Sequence, residues 1–198
     1  LNHPDDAVAA AAATNLGAWQ LKGADPDLLK ILGDSTRAAS ARRAASISLG
    51  QLRSSNASDT LKKLALEGDP ADRYFAVFGL AEDNALEAAK AAAALLVLDL
   101  GKTDPVALVQ AFTRRNKGAD FLIEALENKK PHPEVLNRLS DYHRRTGQLP
   151  RRLAQIFQAP VPRSLSALLI KENRKALTAA VVNDGDPVRG EKIFRRKA

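Results

Sequence analysis

Three observations on the sequence predict an all-α fold, built as an α-solenoid of stacked helical hairpins with about ten or eleven helices. Hydrophobic residues make up 45% of the chain but only 5% of it is aromatic, and much of the hydrophobic share is alanine, the best helix former and a poor strand former. Proline pairs typical of helix starts recur along the chain. A stretch of similar sequence also recurs after about 31 or 32 residues.

The proline pairs predict where helices begin, because each places a capping side chain before a first-turn proline. The pairs are His3-Pro4, Asp25-Pro26, Asp69-Pro70, Asp104-Pro105, His132-Pro133 and Asp186-Pro187. Apolar residues at helical spacing follow them, as Tyr74, Val77 and Phe78 do after the third pair. No clear run of β-branched residues with period two occurs.

The repeat is clearest between "LLKILGDSTRAASARRAASISLGQL", from residue 28, and "TLKKLALEGDPADRYFAVFGLAE", from residue 60. The matched residues are Leu29/Leu61 and Leu32/Leu64 at an offset of 32, and Arg42/Arg73, Ala45/Ala76 and Leu49/Leu80 at an offset of 31. Each copy predicts a short helix, a turn and a longer helix. We expect the arginine at the start of each longer helix to reach acids or carbonyls of the preceding turn, where Asp34 and Asp69 lie.

A poorer third copy is predicted in the alanine-rich helix at 84–98 and the helix after Pro105. Beyond residue 130 the periodicity loosens and prolines become frequent. We interpret residues 131–182 as an irregular helical cap continuous with the solenoid, ending in a helix at about 164–182. The stretch "NDGD" at 183–186 then predicts a linker.

The segment "LKKLALEGDPADRYFAVFGLAE" has leucines, an Asp-Pro turn, an arginine and a following Ala-x-x-Gly-Leu. In this it resembles HEAT-type and armadillo-like repeats. The resemblance implies a domain of such repeats over residues 1–130, acting as a scaffold whose partners are proteins or neighbouring domains.

The chain contains no Met and no Cys. Without Met, Leu1 is not an encoded start, and we expect the chain to be a fragment or a processed product. Without Cys, disulfides, thiolate metal sites and cysteine nucleophiles are excluded within these residues. The longest apolar run, "AAAALLVL" at 91–98, is too short to span a bilayer, so we expect no membrane contact.

No motif predicts a catalytic, metal-binding or cofactor-binding residue. His3 and His132 precede prolines, where a capping role suffices, and His143 has no second histidine at helical spacing. Paired acids lie beside turns or at helix starts, where they complement the helix dipole. The aromatic residues Trp19, Tyr74, Phe75 and Phe78 fit a ligand cleft less well than the core, to which their helical spacing assigns them.

Basic residues are concentrated in the C-terminal third. The net charge is +7, yet residues 1–137 carry 16 basic and 18 acidic side chains, whereas residues 138–198 carry 14 and 5. This asymmetry suits a polyanion, an acidic protein face or a solvated helical surface. The candidate interaction surface comprises Arg144, Arg145, Arg151, Arg152, Lys171, Arg174 and Lys175. Aromatic residues are sparse beside it, which disfavours single-stranded nucleic acid but leaves duplex binding open.

The chain ends in "GDPVRGEKIFRRKA", a predicted helix start with Gly190 and Phe194 four residues apart. The string resembles the entry into the class I cytochrome c domain of large multidomain proteins of planctomycetes, in which a dehydrogenase-like segment precedes HEAT-like repeats. The resemblance implies that residues 183–198 are a linker and the start of a truncated domain, that Gly190 and Phe194 are helix-packing residues, and that the parent protein is exported, as to a periplasm. Haem c is implied only for a downstream part, because the chain lacks Cys-x-x-Cys-His.

The sequence therefore predicts a non-catalytic scaffold or spacer within a larger exported redox protein. The alternative is a HEAT-like module that binds nucleic acid through the basic C-terminal third. An enzyme is the third hypothesis, for which the sequence offers no candidate set. We also expect residues 187–198 to pack poorly against residues 5–182.

Overall fold

The computed structural model of the chain describes residues 1, 3–158 and 186. This part contains ten α-helices and no strand, which confirms the predicted all-α class. The helices are α1 (Asp6–Ala18), α2 (Asp25–Gly33), α3 (Ala39–Leu52), α4 (Ser55–Glu67), α5 (Pro70–Asp83), α6 (Ala85–Leu96), α7 (Pro105–Thr113), α8 (Gly118–Leu126), α9 (Pro133–Thr146) and α10 (Arg151–Ile156). The predicted helix at 164–182 and the packing of residues 187–198 lie outside the described residues.

Side-chain caps begin three helices where the proline pairs predicted them. Asp69, Asp104 and His132 each accept a hydrogen bond from a backbone N–H of the first turn, at 2.9, 2.9 and 3.3 Å. Two pairs differ from the prediction. Helix α1 begins at Asp6 with Asp5, and not His3, as its N-cap. Helix α2 begins one residue earlier than predicted, and Ala24 is its N-cap. The Asp25 carboxylate instead accepts a hydrogen bond from Ser54 Oγ, at 2.6 Å, in the next repeat.

The helices alternate between two layers. The odd-numbered helices pack in succession, α1 on α3, α3 on α5, α5 on α7 and α7 on α9. On the other side α4 packs on α6, α6 on α8 and α8 on α10, while α2 packs on α3 and α5. We call these the odd-helix layer and the even-helix layer. The stacking continues through α9 and α10, past the domain boundary predicted at residue 130.

The odd helices approach one another closely at small residues. A methyl group added to Gly50 of α3 would lie less than 3.0 Å from the Gly79 carbonyl oxygen of α5, closer than real Cβ atoms come. A methyl group at Gly17 of α1 would lie 2.7 Å from Ser48 Cα. We call this contact line the glycine seam, comprising Gly17, Ser46, Ser48, Gly50 and Gly79.

Buried serines bond the odd helices across the glycine seam. Ser46 and Ser48 are fully buried. Ser46 Oγ donates to the Phe75 carbonyl at 2.7 Å and accepts from the Gly79 N–H at 3.0 Å. Ser48 Oγ donates to the Ala13 carbonyl at 2.7 Å. Each hydroxyl is satisfied by the backbone of a neighbouring repeat, so the small residues provide both proximity and hydrogen bonds.

The repeat arginines bind carbonyls, as predicted, but these belong to the end of the preceding helix and not to the turn that holds Asp34 or Asp69. Arg42 Nε donates to the Leu32 carbonyl at 2.8 Å, and Arg73 Nε donates to the Ala65 carbonyl at 3.2 Å. Both carbonyls belong to the last turn of the shorter helix, where intrahelical donors run out. The acid that pairs with Arg42 is Asp72 of the following repeat, and not Asp34.

The matching of the shorter helices was wrong by one residue. Leu28 and Leu32 are buried in α2, and Leu61 and Ala65 are buried in α4, so the offset by burial is 33. The longer helices keep the offset of 31, since Ala45, Ala76, Leu49 and Leu80 are all buried. The turn between the two helices is also shorter in the second copy, with two residues (68–69) against five (34–38) in the first.

The assignment of Trp19 to the core is also wrong. Trp19 is 73% exposed at the C-cap position of α1, beyond the last residue of the helix. Tyr74, Phe75 and Phe78 of α5 are buried, as predicted. The Tyr74 ring meets both phenylalanine rings edge-on, with centroids 5.3 and 5.2 Å apart.

Gly50→Ala is expected to destabilise the fold by about 2–3 kcal/mol, because the added methyl overlaps the α5 backbone, which cannot move like a side chain. Gly33→Ala is the matched control, since nothing lies within 4 Å of its added methyl. That substitution is expected to be neutral or to stabilise by about 0.5 kcal/mol through helix propensity. Urea denaturation measures the free energy of unfolding of both variants. Equal changes would contradict the claim that the helices of the glycine seam leave no room for a methyl group.

Tyr74 is expected to weaken the fold at alkaline pH. Burial raises the pKa of Tyr74 from 10.0 to about 12, and its hydroxyl donates to the Asp104 carbonyl at 2.9 Å. The folded chain therefore holds this proton more tightly than the unfolded chain. The contribution to the free energy of unfolding is full below pH 10.0 and is lost as pH rises through about 12. Urea denaturation at a series of pH values should show that the free energy of unfolding falls less steeply at alkaline pH in Tyr74→Phe than in the unchanged chain. Identical falls in both would contradict the raised pKa of Tyr74.

Candidate functional site

A groove crosses the outer surface of the odd-helix layer between α3, α5 and α7. It has a volume of about 380 Å³. We call it the arginine groove, and it is lined by Arg43, Ile47, Phe78, Glu82, Ala107, Gln110, Ala111, Arg114 and Arg115. All of its residues belong to odd helices or follow α7 directly, and the glycine seam sets the spacing of α3 and α5, two of the three helices that border the groove.

Three guanidinium groups and one carboxylate line the arginine groove. Arg115 pairs with Glu82 and also donates to the Ala111 carbonyl. Neither Arg43 nor Arg114 forms an ion pair within the part of the chain that the structure describes. Both are exposed. The groove therefore presents two unneutralised cations, each able to bind a carboxylate through two parallel hydrogen bonds.

Two phenylalanine rings of α5 form cation–π contacts with consecutive arginines of α3. The Arg43 guanidinium lies over the Phe78 ring, with Cζ 5.7 Å from the ring centroid. Arg42, one residue earlier, lies over Phe75 at 4.4 Å. Such cation–π contacts restrict the long side chains and hold each guanidinium against its ring. Arg43 is thus held over a buried ring with its charge directed to the groove.

The groove continues towards α9 through uncharged polar groups. A second depression of about 300 Å³ shares Gln110 and Arg114 with the arginine groove and is also lined by Tyr142 and Gln148. Gln110 Nε2 donates to Tyr142 Oη at 2.8 Å, and the Tyr142 hydroxyl donates to Gln148. These groups retain donors and acceptors suited to an amide backbone.

The predicted basic surface is described only in part. Arg144 and Arg145 are exposed in the last turn of α9, and Arg151 and Arg152 are exposed in the first turn of α10. Arg144 pairs with Asp141, and Arg152 borders a cleft that also contains three acids: Asp120, Glu124 and Glu127. Lys171, Arg174, Lys175, Gly190 and Phe194 lie outside the described residues. A shared surface for the seven basic residues stays a prediction.

Sequence reasoning did not find the arginine groove, because it gave a role to Arg42 and none to Arg43, Arg114 or Arg115. Arg42 is 5% exposed and serves the fold, whereas Arg43, one residue further round the helix, faces solvent. In the pair Arg114 and Arg115, the second is bound to Glu82 and the first has no ion pair with any residue that the structure describes. The available signal was the spacing of Arg43 from the buried Ala41 and Ala45, which places it on the opposite side of α3.

The described residues include no group of three or more His, Cys, Asp or Glu placed to hold a metal ion. Within the same residues, no helix has both the length and the apolar character needed to cross a bilayer. His143 Nδ1 is buried and has no hydrogen-bond partner in the described part of the chain, and the sequence places no second histidine within ten residues of it.

Residues 1–81 match the family model for HEAT repeats. The match runs from the start of the chain into α5, and so covers the two copies in which the sequence repeat is clearest. No curated protein and no solved structure matches the chain. With the two stacked layers of the described residues, the match identifies the fold as an α-solenoid, and HEAT repeats generally mediate protein–protein interactions.

Proposed function

We propose that the chain is a non-catalytic scaffold whose arginine groove binds an acidic, extended segment of a partner protein. The observation that carries this proposal is the pair of exposed arginines, Arg43 and Arg114, that share one groove and have no acidic partner among the described residues. The groove residues are arginines, amides and apolar groups, and the Glu82 carboxylate is held by Arg115. This composition suits binding more than acid–base chemistry.

The shape and polarity of the groove favour a peptide over duplex DNA. Its volume of about 380 Å³ fits a few side chains. Glu82 lies between the arginines and opposes a continuous row of phosphates. The Gln110–Tyr142–Gln148 extension offers hydrogen bonds to a peptide backbone. Duplex binding, the alternative, relies mainly on a broad basic face.

A short fluorescein-labelled peptide rich in glutamate tests the proposal by fluorescence anisotropy. Removal of either guanidinium by Arg43→Ala or Arg114→Ala is expected to weaken binding about tenfold, because each charge-assisted hydrogen bond is worth about 1.5–3 kcal/mol before screening. The double variant should bind too weakly to measure. Binding should also weaken as salt is raised.

The matched control is the double variant Lys62→Ala, Lys63→Ala, which removes the same charge from α4 in the even-helix layer. It is expected to bind the peptide like the unchanged chain. An equal loss of peptide binding in both double variants would mean that net charge alone causes the effect. It would contradict the proposal that the peptide binds in the arginine groove. Binding of generic duplex DNA, with no peptide binding, would favour the nucleic-acid alternative.

We propose further that this scaffold spaces neighbouring domains of a larger exported redox protein. The support is the resemblance of "GDPVRGEKIFRR" to the entry of a cytochrome c domain, in residues that lie outside the described part apart from Asp186. Haem would be attached to residues other than these 198, since they include no Cys. Haem staining of the native protein after denaturing electrophoresis should be positive, and native protein without covalent haem would contradict this setting.

A further inference from the structure

The side chain of Gln110 lines both the arginine groove and the smaller depression towards α9. Its Nε2 donates a hydrogen bond to Tyr142 Oη at 2.8 Å. The Tyr142 hydroxyl in turn donates its single hydrogen to the side-chain oxygen of Gln148. Because that hydrogen is already used, Tyr142 can only accept from Gln110. The amide nitrogen of Gln110 is therefore held on the side of Tyr142.

This chain of hydrogen bonds uses only one N–H of the Gln110 amide. The side-chain oxygen and the second N–H bond to no residue that the structure describes. The oxygen also reaches solvent, since His143 Nδ1 is the one buried side-chain nitrogen or oxygen atom that lacks a hydrogen bond among the described residues. Gln110 thus offers the groove one acceptor and one donor, and Tyr142 fixes their orientation.

An acceptor and a donor on one amide match the backbone of a single residue in an extended chain. Such a residue can exchange two hydrogen bonds with one partner, through its N–H and its C=O, as paired residues of antiparallel strands do. Inside an α-helix the same two groups are already bonded to residues four positions away. Proline has no backbone N–H to donate. Gln110 is therefore suited to a residue that is extended and is not proline.

We propose that Gln110 binds the backbone N–H and C=O of one residue of the acidic partner segment, and that Tyr142 positions its amide for this contact. The inference rests on the proposed function, because the same segment places its carboxylates on Arg43 and Arg114. The arginines bind acidic side chains, whereas Gln110 binds the backbone. The partner is thus an acidic segment that is extended at the groove and has a backbone N–H at one required position.

Arg114 determines where this residue lies in the partner segment. Arg114 lines both depressions and follows Gln110 by four residues, so the two lie one turn apart on the same face, with Cβ atoms about 6 Å apart. An extended chain advances about 3.3 Å per residue. The residue bound by Gln110 is therefore about two positions from the acid bound by Arg114.

Amide-to-ester substitution in the labelled peptide tests the backbone contact, because an ester keeps the shape of the chain and lacks the N–H. The peptide is first reduced to the two glutamates that binding requires, so that the arginines fix its register. Each amide is then replaced in turn, and affinity is measured by fluorescence anisotropy. One position should lose about three- to tenfold in affinity, the usual value of one hydrogen bond. Equal affinity throughout the series would overturn the proposal.

Variants of the chain connect the sensitive position to Gln110. In Gln110→Ala the all-amide peptide should bind about three- to tenfold more weakly, and the ester peptide should bind equally well. Tyr142→Phe keeps the ring and removes the hydroxyl, so the Gln110 amide loses its fixed orientation and the ratio of amide to ester affinity should fall towards one. An unchanged ratio in Gln110→Ala would overturn the contact. An unchanged ratio in Tyr142→Phe would overturn the positioning role.

Two further variants separate this inference from the proposed function. Arg43→Ala should weaken the amide and ester peptides alike and leave their ratio unchanged, because it removes a side-chain contact. Gln155→Ala removes an exposed glutamine of α10 outside the groove and should change neither affinity. Binding that depends on the arginines, with no sensitive amide, would keep the proposed function and overturn this inference. A peptide that does not bind the unchanged chain would overturn both.

Discussion

The close approach of α1, α3 and α5 at the glycine seam is the constraint on which the rest of the structure depends. Gly50 and Gly79 leave no room for a methyl group, and Ser46 fills the remaining space with two hydrogen bonds to the α5 backbone. Because the helix axes are held this close, apolar side chains on both sides interlock. The repeat arginines then tie each longer helix to the shorter helix before it.

The arginine groove depends on that same spacing where α3 lies beside α5. Each odd helix turns one face to the seam and another to solvent, and residues one position apart are separated by about 100° around the axis. Arg42 consequently stabilises the fold, while Arg43 is exposed and lines the groove. Phe78 contributes to the core and to the groove, since it is buried and its ring lies beneath the Arg43 guanidinium. Stability and binding are therefore linked at α5.

The sequence was sufficient for the features that depend on local spacing. Capping by Asp69, Asp104 and His132, the burial of the α5 aromatics and the reach of the repeat arginines all follow from residue order. Trp19 could not be placed this way, because its helical spacing is that of a core residue and only the absence of a helix beside it in the described residues exposes it. The groove was missed because it combines α3, α5 and α7, and no single segment carries its pattern.

The most direct test of the account is an NMR titration that follows the arginine Nε–Hε signals as a glutamate-rich peptide is added. The account predicts that the signals of Arg43 and Arg114 shift with a common saturation curve, while the signal of Arg53, at the end of α3, stays in place. Shifts confined to arginines outside the groove, or shared equally by all of them, would contradict the claim that the odd-helix layer carries the binding site.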